Sequence, residues 1–491
     1  MKFSSCEARV KFMVSPKRWL SILSVNSLML FNVSFPVLML PNIVNGGEVI
    51  AQTDKSDEAE KLYKQGHQLF KQGTAESKKQ ATEIWKKALQ LYREADNKKW
   101  EALTLLSIGR VYDTLGEKQI ALSYYDQSLP LWRQVGEKAG VATTLNNIGG
   151  VYSALGEQQK ALEYYNQSLL LRREMGNKTQ EATTLNNIGK VYNDLGKPQK
   201  ALEYYNQSLT LLREVGEKAG IATTLNNIGL VYSALGENQK ALEYYQQALP
   251  LYQQVGNRGG EANTLNNIGG VYSVLGENQK ALEYYNKSLP LRRQVGDRAG
   301  VANSLNNIGG VYSALGEKQI ALNYYQQALP LFQQVGLLHG EAKTLSNIGL
   351  VYNDLGENQK ALNYYQQALP ILQQVGDKAG EAIALNNIGG VYSGLGEKQT
   401  ALNYYQQALP ILQQVGDKGG EADTLNNIGA VYDDLGEKQT ALSYYDQSLT
   451  LLRQVGDRAG VASTLNNIGF VYSALGEKQK ALEYYNESLH L

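Results

Sequence analysis

Cysteine is almost missing from the 491 residues, with Cys6 alone. One thiol closes no internal disulfide and builds no thiolate metal site, which excludes disulfide scaffolds and zinc modules. Histidine is nearly as scarce: His67, His339 and His490 are far apart in sequence, too few for a His-rich metal cluster. Neither sign of charge is in excess, with 47 basic against 47 acidic side chains. Such a chain has no long-range positive field to gather a phosphate polymer, so no nucleic-acid partner is expected. Phenylalanine is short as well, 7 residues against 33 tyrosines. That is odd for an ordinary core, where Phe buries area without a hydroxyl to satisfy, and it means that something repetitive writes Tyr into the chain. Apolar residues make up 43% and charged residues 19%, enough apolar surface to fold and too much for disorder.

The N-terminus reads as a processing segment. Lys2, Arg9, Lys11, Lys17 and Arg18 precede an apolar stretch from Trp19 to Leu40, and Val49-Ile50-Ala51 offers the small residues that a signal peptidase reads. Residues 1–51 are therefore expected to be a secretory signal peptide cleaved near Ala51, with the remainder exported to a periplasmic or extracellular space. The stretch is long and is diluted by Asn26, Asn32 and Pro36, so an uncleaved membrane anchor is the alternative, and membrane contact is expected through this segment only. Cys6 precedes the apolar run and so is not placed as a lipid-modified cysteine.

Beyond it the chain is periodic. The string Thr-Leu-Asn-Asn-Ile-Gly that begins at Thr144 returns at 184, 224, 264, 424 and 464, with near copies at 304, 344 and 384. A fixed period of 40 residues marks stacked structural repeats. A looser copy begins at Thr104, and a degenerate unit from about Asp57 to Ala95, with an insertion near Thr74 to Lys79, comes before it. The expected organisation is a degenerate first repeat or cap over 52–96 and a tandem array over 97–491, its last unit shortened at Leu491.

Each unit carries two helical patterns punctuated by glycine. In the unit at 139–175 the first helix is predicted over Ala139 to Leu155, with Leu145, Ile148, Tyr152 and Leu155 on one stripe. The second is predicted over Gln158 to Met175, with Ala161, Leu162, Tyr165, Leu169 and Arg172 on one face. Gly156 and Gly176 are placed to end them in the left-handed conformation, and Asp377, after Gly376, is placed as an N-cap. Gly149 and Ala161 are small where the two helices must approach, with Tyr152 and Tyr165 filling the space beside them. Pro130, Pro250, Pro290, Pro330, Pro370 and Pro410 fall inside second helices and are expected to kink or shorten them.

Taken together, Leu145, Ile148, Gly149, Tyr152, Ala161, Tyr165 and Ser168 resemble the signature of a tetratricopeptide repeat. The unit is similar to the longer repeats of kinesin light chain and of the Pins/LGN scaffolds, and to bacterial arrays that precede a CHAT protease-like domain. The family's proline near the end of the second helix is replaced by Arg173. The resemblance implies an all-α, right-handed superhelical solenoid of antiparallel helix pairs whose first helices line a concave groove.

No constellation for catalysis emerges, so no enzyme and no cofactor is expected. The three histidines are isolated, no phosphate-binding glycine loop exists, and Asp433-Asp434 has no partner at metal-ligand spacing. The candidate site is the groove. Stacking aligns Asn147, Asn187, Asn227, Asn267, Asn307, Asn347, Asn387, Asn427 and Asn467 into a ladder, beside a second one that begins at Asn146. A carboxamide donates to a carbonyl and accepts from an N–H, which suits the backbone of an extended peptide. The same asparagines could instead bond the neighbouring helix, and both readings stand at this point. Variable groove columns add a basic touch at Arg110 and Lys190 and an acidic one at Asp423, Asp433 and Asp434. A Thr143 column passing through Lys343 and Ile383 completes a mostly neutral surface.

The expected function is a non-catalytic scaffold that binds a protein or peptide segment in this groove. Two alternatives accompany it: the sensor arm of a longer protein with a CHAT domain, and a structural array self-associating through the edge that carries Tyr485 and Leu489.

Overall fold

A computed structural model describes residues 48–491, with side chains from Lys55 onward; of the signal segment expected over 1–51, all but the last four residues lie outside the described residues. The described chain is all helical, with twenty-two helices, α1 to α22 in chain order. They fall into two compact units, one ending at Gly260 and the other spanning Glu261–Leu491. Inside each unit the helices form antiparallel pairs that stack on the next pair. Among the described residues no helix is long and apolar enough to cross a membrane.

The pair α5 (Lys138–Ala154) and α6 (Gln158–Glu174) shows how the sequence writes one repeat. Gly156 takes φ 78°, and the turn closes with Gly156 N–H on the Ser153 carbonyl and Glu157 N–H on the Tyr152 carbonyl at 2.9 Å. These two bonds satisfy carbonyls that the end of a helix leaves without partners. The N-cap reading holds as well, since Asp377 accepts from Gly380 N–H at 2.9 Å. Between the helices, a Cβ on Gly149 would stand 2.8 Å from the Tyr165 ring. Only glycine lets that ring, 4% exposed, close the seam. Ser168 lies in the same seam and donates to the Ala142 carbonyl at 2.7 Å.

Several expectations need correction. Leu155 is exposed and Val151 fully buried, because Leu155 is the C-cap, where the chain leaves the helix. The prolines neither interrupt nor shorten their helices: α10 (Asn238–Gln254), with Pro250, has the same 17 residues as α6, with Leu170. The position is on the outer surface, with Pro250 exposed, where losing one backbone donor is least damaging. The insertion expected near Thr74 to Lys79 is taken up as helix. Thr74 caps α2 (Ala75–Glu94), whose 20 residues give it about one more turn at its start.

The two arginines at the end of second helices behave unlike surface residues. Arg172 is 2% exposed and donates to the Gln180 carbonyl and Thr184 Oγ1; burial with no carboxylate partner brings its pKa down to about 10. Arg292, equally buried, is held by Asp297 at 2.8 Å and Ser288 at 3.1 Å. Equivalent positions hold Phe332, Leu372 and Leu412, all buried. Arg172→Leu is therefore expected to stabilise the first unit by about 1 kcal/mol, because an apolar side chain replaces a desolvated charge. Equilibrium urea unfolding checks this, and a loss of stability would show that the guanidinium bonds outweigh its desolvation.

Candidate functional site

First helices of successive repeats touch one another, as α13 (Arg298–Ala314) does α15 (Leu338–Asp354), whereas successive second helices do not approach as closely. The first-helix side is thus the tighter side of each stack and carries the candidate residues.

The two asparagine columns are interlocked. Asn146 Oδ1 accepts from Asn187 Nδ2 and from Thr184 Oγ1, each at 3.3 Å. The arrangement recurs in the second unit, where Asn306 accepts from Asn347 at 3.2 Å and Thr344 at 3.1 Å. Asn386 and Asn426 serve Asn427 and Asn467 in the same way. Asn227 likewise donates to Asn186 at 3.3 Å. The first asparagine of each pair is thus an acceptor joining one repeat to the next.

The second asparagine, the ladder of the sequence reading, stays half-buried in every repeat from Asn147 to Asn467. Its inter-repeat bond engages one amide hydrogen out of the four hydrogen-bonding positions a carboxamide has. Three members make no such bond. Leu106 stands where Asn147 would find an acceptor, Ser346 where Asn387 would, and Asn266 accepts from Ser304 instead of Asn307.

The charged candidates are mostly engaged. Arg110 lies over the Phe70 ring at 5.7 Å, and Lys190 pairs with Asp194 at 3.6 Å. Asp433 pairs with Lys438 at 2.6 Å, and Asp434 with Lys398 of the preceding repeat. Asp423 is exposed. The acidic touch expected around Asp433 and Asp434 is thus largely neutralised by lysines that open second helices. Lys343 is half-buried, and desolvation pushes its ammonium down.

Among the described residues no three His, Cys, Asp or Glu come together as metal ligands. His339 Nδ1 lies 3.3 Å from Asp377 Oδ2 of the next repeat. That contact, aided by Gly380 N–H, holds the Asp377 carboxyl below its usual range. Burial and the nearby Lys71 and Arg110 push His67 down.

A tyrosine stack recurs in every repeat from the second on. Tyr152 and Tyr164 stack with centroids 5.4 Å apart, and Lys160 lies 5.1 Å over the Tyr152 ring. Equivalent stacks recur down to Tyr472 and Tyr484. With the seam column of Tyr165, these columns account for most of the tyrosine excess.

The chain matches the tetratricopeptide repeat family at residues 74–134, 119–174, 180–254, 260–334, 340–414 and 420–491. It is a tetratricopeptide repeat protein. No curated protein matches it significantly. Among solved structures, the apo quorum sensor NprR from B. thuringiensis is 17% identical with a TM-score of 0.53, over 74% of this chain and 99% of that one. A signal transduction ATPase from Pyrococcus horikoshii, PH0952, with a tetratricopeptide repeat sensor, is 13% identical with a TM-score of 0.53, over 76% of this chain and 53% of that one. A Rap protein complexed with Competence and Sporulation Factor aligns at 16% identity and a TM-score of 0.49, over 83% of this chain and 99% of that one. At such identities the likeness is one of fold.

Two features of this tetratricopeptide repeat array were read from the sequence only in part. Spacing placed Arg172 on the packing face, but not its burial as a charge without a carboxylate partner, since Arg at the end of a helix ordinarily points to solvent. A bond from the asparagines to the neighbouring helix was one of the two sequence readings, but its partners, 41 residues apart, become visible only once repeats are stacked.

Proposed function

We propose that this tetratricopeptide repeat protein is a non-catalytic scaffold that holds an extended peptide, or an extended segment of a protein, along its first-helix face. The supporting observation is the half-buried carboxamide that recurs in nine successive repeats, from Asn147 to Asn467, and is fixed in register where it bonds the preceding repeat. Fixed carboxamides lower the ordering cost of grasping a ligand backbone, which offers a donor and an acceptor at each residue. The paired charges leave no field to favour a polyanion, which supports a neutral or mixed peptide. NprR, of similar fold, is named a quorum sensor, and a small exported signal or partner segment is the ligand class that fits here. The reading includes export, with residues 1–51 as leader.

Selection of dodecapeptides from a randomised library against the full chain tests the proposal. It predicts binders that compete with one another and are not displaced by double-stranded DNA. Recovery of no peptide above background, or displacement of all of them by DNA, would contradict it.

A further inference from the structure

The position after the seam glycine varies between repeats, from a second glycine to Arg110, Lys190, Leu230, Leu350, Ala430 and Phe470. Where it is glycine, the hydroxyl of the seam tyrosine comes up under the helix. A Cβ built on Gly150, Gly270 or Gly310 would meet first the hydroxyl of Tyr165, Tyr285 or Tyr325, at 3.5, 3.7 and 3.7 Å. These rings are nearly buried, with 4, 3 and 2% of their surface exposed. No hydrogen bond to another described residue reaches the three hydroxyls, and burial keeps them protonated, hence donors.

At two of the filled positions the tyrosine is sealed, whereas Tyr205, Tyr245 and Tyr445, beneath Lys190, Leu230 and Ala430, keep 2, 1 and 2% of their surface exposed. Under Arg110 and Leu350, Tyr125 and Tyr365 are 0% exposed, and their hydroxyls are buried without a partner. The three glycines are windows in the sense that no side chain stands between the helix surface and the phenolic donor beneath.

Resting on the peptide-groove reading, we propose that Gly270 and Gly310 are the points at which a ligand's main chain comes closest, its carbonyl oxygens accepting from Tyr285 and Tyr325. A missing side chain on the helix admits a backbone where a Cβ and beyond would hold it away. Asn267 and Asn307 stand three residues before the two glycines, on the same helix face, so each window is flanked by a carboxamide. First helices of adjacent repeats pack roughly 10 Å apart, about three residues of extended chain. The ligand class is thus an extended peptide with small residues at two positions about three apart. Leu350 closes the next repeat and offers an apolar contact there instead.

The test uses the full chain and one selected dodecapeptide, by titration calorimetry with a melting curve for each variant. Gly310→Leu copies the natural state at Leu350 and is expected to weaken binding at least tenfold while the melting temperature holds. Tyr325→Phe, which removes only the donor, is expected to weaken binding by about fivefold, the effect of one lost hydrogen bond. It should not lower the melting temperature, because the hydroxyl serves no protein partner. Unchanged affinity in both variants would overturn the windows. If Asn307→Ala with Asn387→Ala still weakens binding in that case, the groove reading survives alone. If no variant changes affinity, or no peptide is ever selected, both fall.

Discussion

Gly309→Leu is expected to destabilise the unit Glu261–Leu491 by about 3 kcal/mol, the upper range for overpacking a filled core. A Cβ there would stand 2.8 Å from the Tyr325 ring. That ring has nowhere to retreat, being 2% exposed and packed with Ala321, Leu322, Ile348 and Val351. Either Tyr325 leaves its rotamer or α13 separates from α14 (Lys318–Val335), and both open the core between this repeat and the next. The damage spreads, because each repeat in a stack has its faces completed by its neighbours. Urea unfolding followed by helical signal measures the effect, and wild-type stability would show that the seam is loose. Gly310→Leu, one residue along the same helix, supplies the contrast: the side chain there enters the groove, and stability is expected to hold. With those outcomes, two adjacent glycines would separate folding from binding.

Much of the fold was legible because the sequence repeats itself. Identical strings fix a period, and glycines at Gly156 and Gly176 fix the helix ends, since the left-handed turn costs other residues more. Gly149 against Tyr165 was readable as a small residue facing a large one. The phase of the apolar stripe was less secure. Val151 and Leu155 are both apolar at helical spacing, and nothing local says that the cap residue Leu155 has already left the core. Pro250 misled for a related reason: its effect depends on which face it occupies, and that face belongs to the assembled stack.

The groove was legible as a surface and not as a set of bonds. Aligning repeats brought the Asn147 column into view and raised the question of whether it faces a ligand or a neighbour. The geometry divides the work between two columns. Asn186 and Asn306 are buried acceptors at the joint, while Asn227 and Asn347 reach back to them and remain half-exposed. Charge was harder to read, since Asp434 is answered by Lys398, 36 residues away. The tyrosine hydroxyls beneath Gly270 and Gly310 follow from a ring's depth, which no spacing reveals.

The most direct measurement of the central claim is the affinity of a selected peptide for the triple variant Asn147→Ala, Asn307→Ala and Asn387→Ala, with its melting curve beside it. These three ladder positions make no inter-repeat amide bond among the described residues, so their loss removes groove chemistry without loosening the stack. With two of the three in contact at about 1 kcal/mol each, binding is expected to fall roughly 30-fold while the melting temperature stays within a degree or two of wild type. Undiminished affinity, or a melting temperature that collapses, would contradict the claim that this ladder grips a ligand.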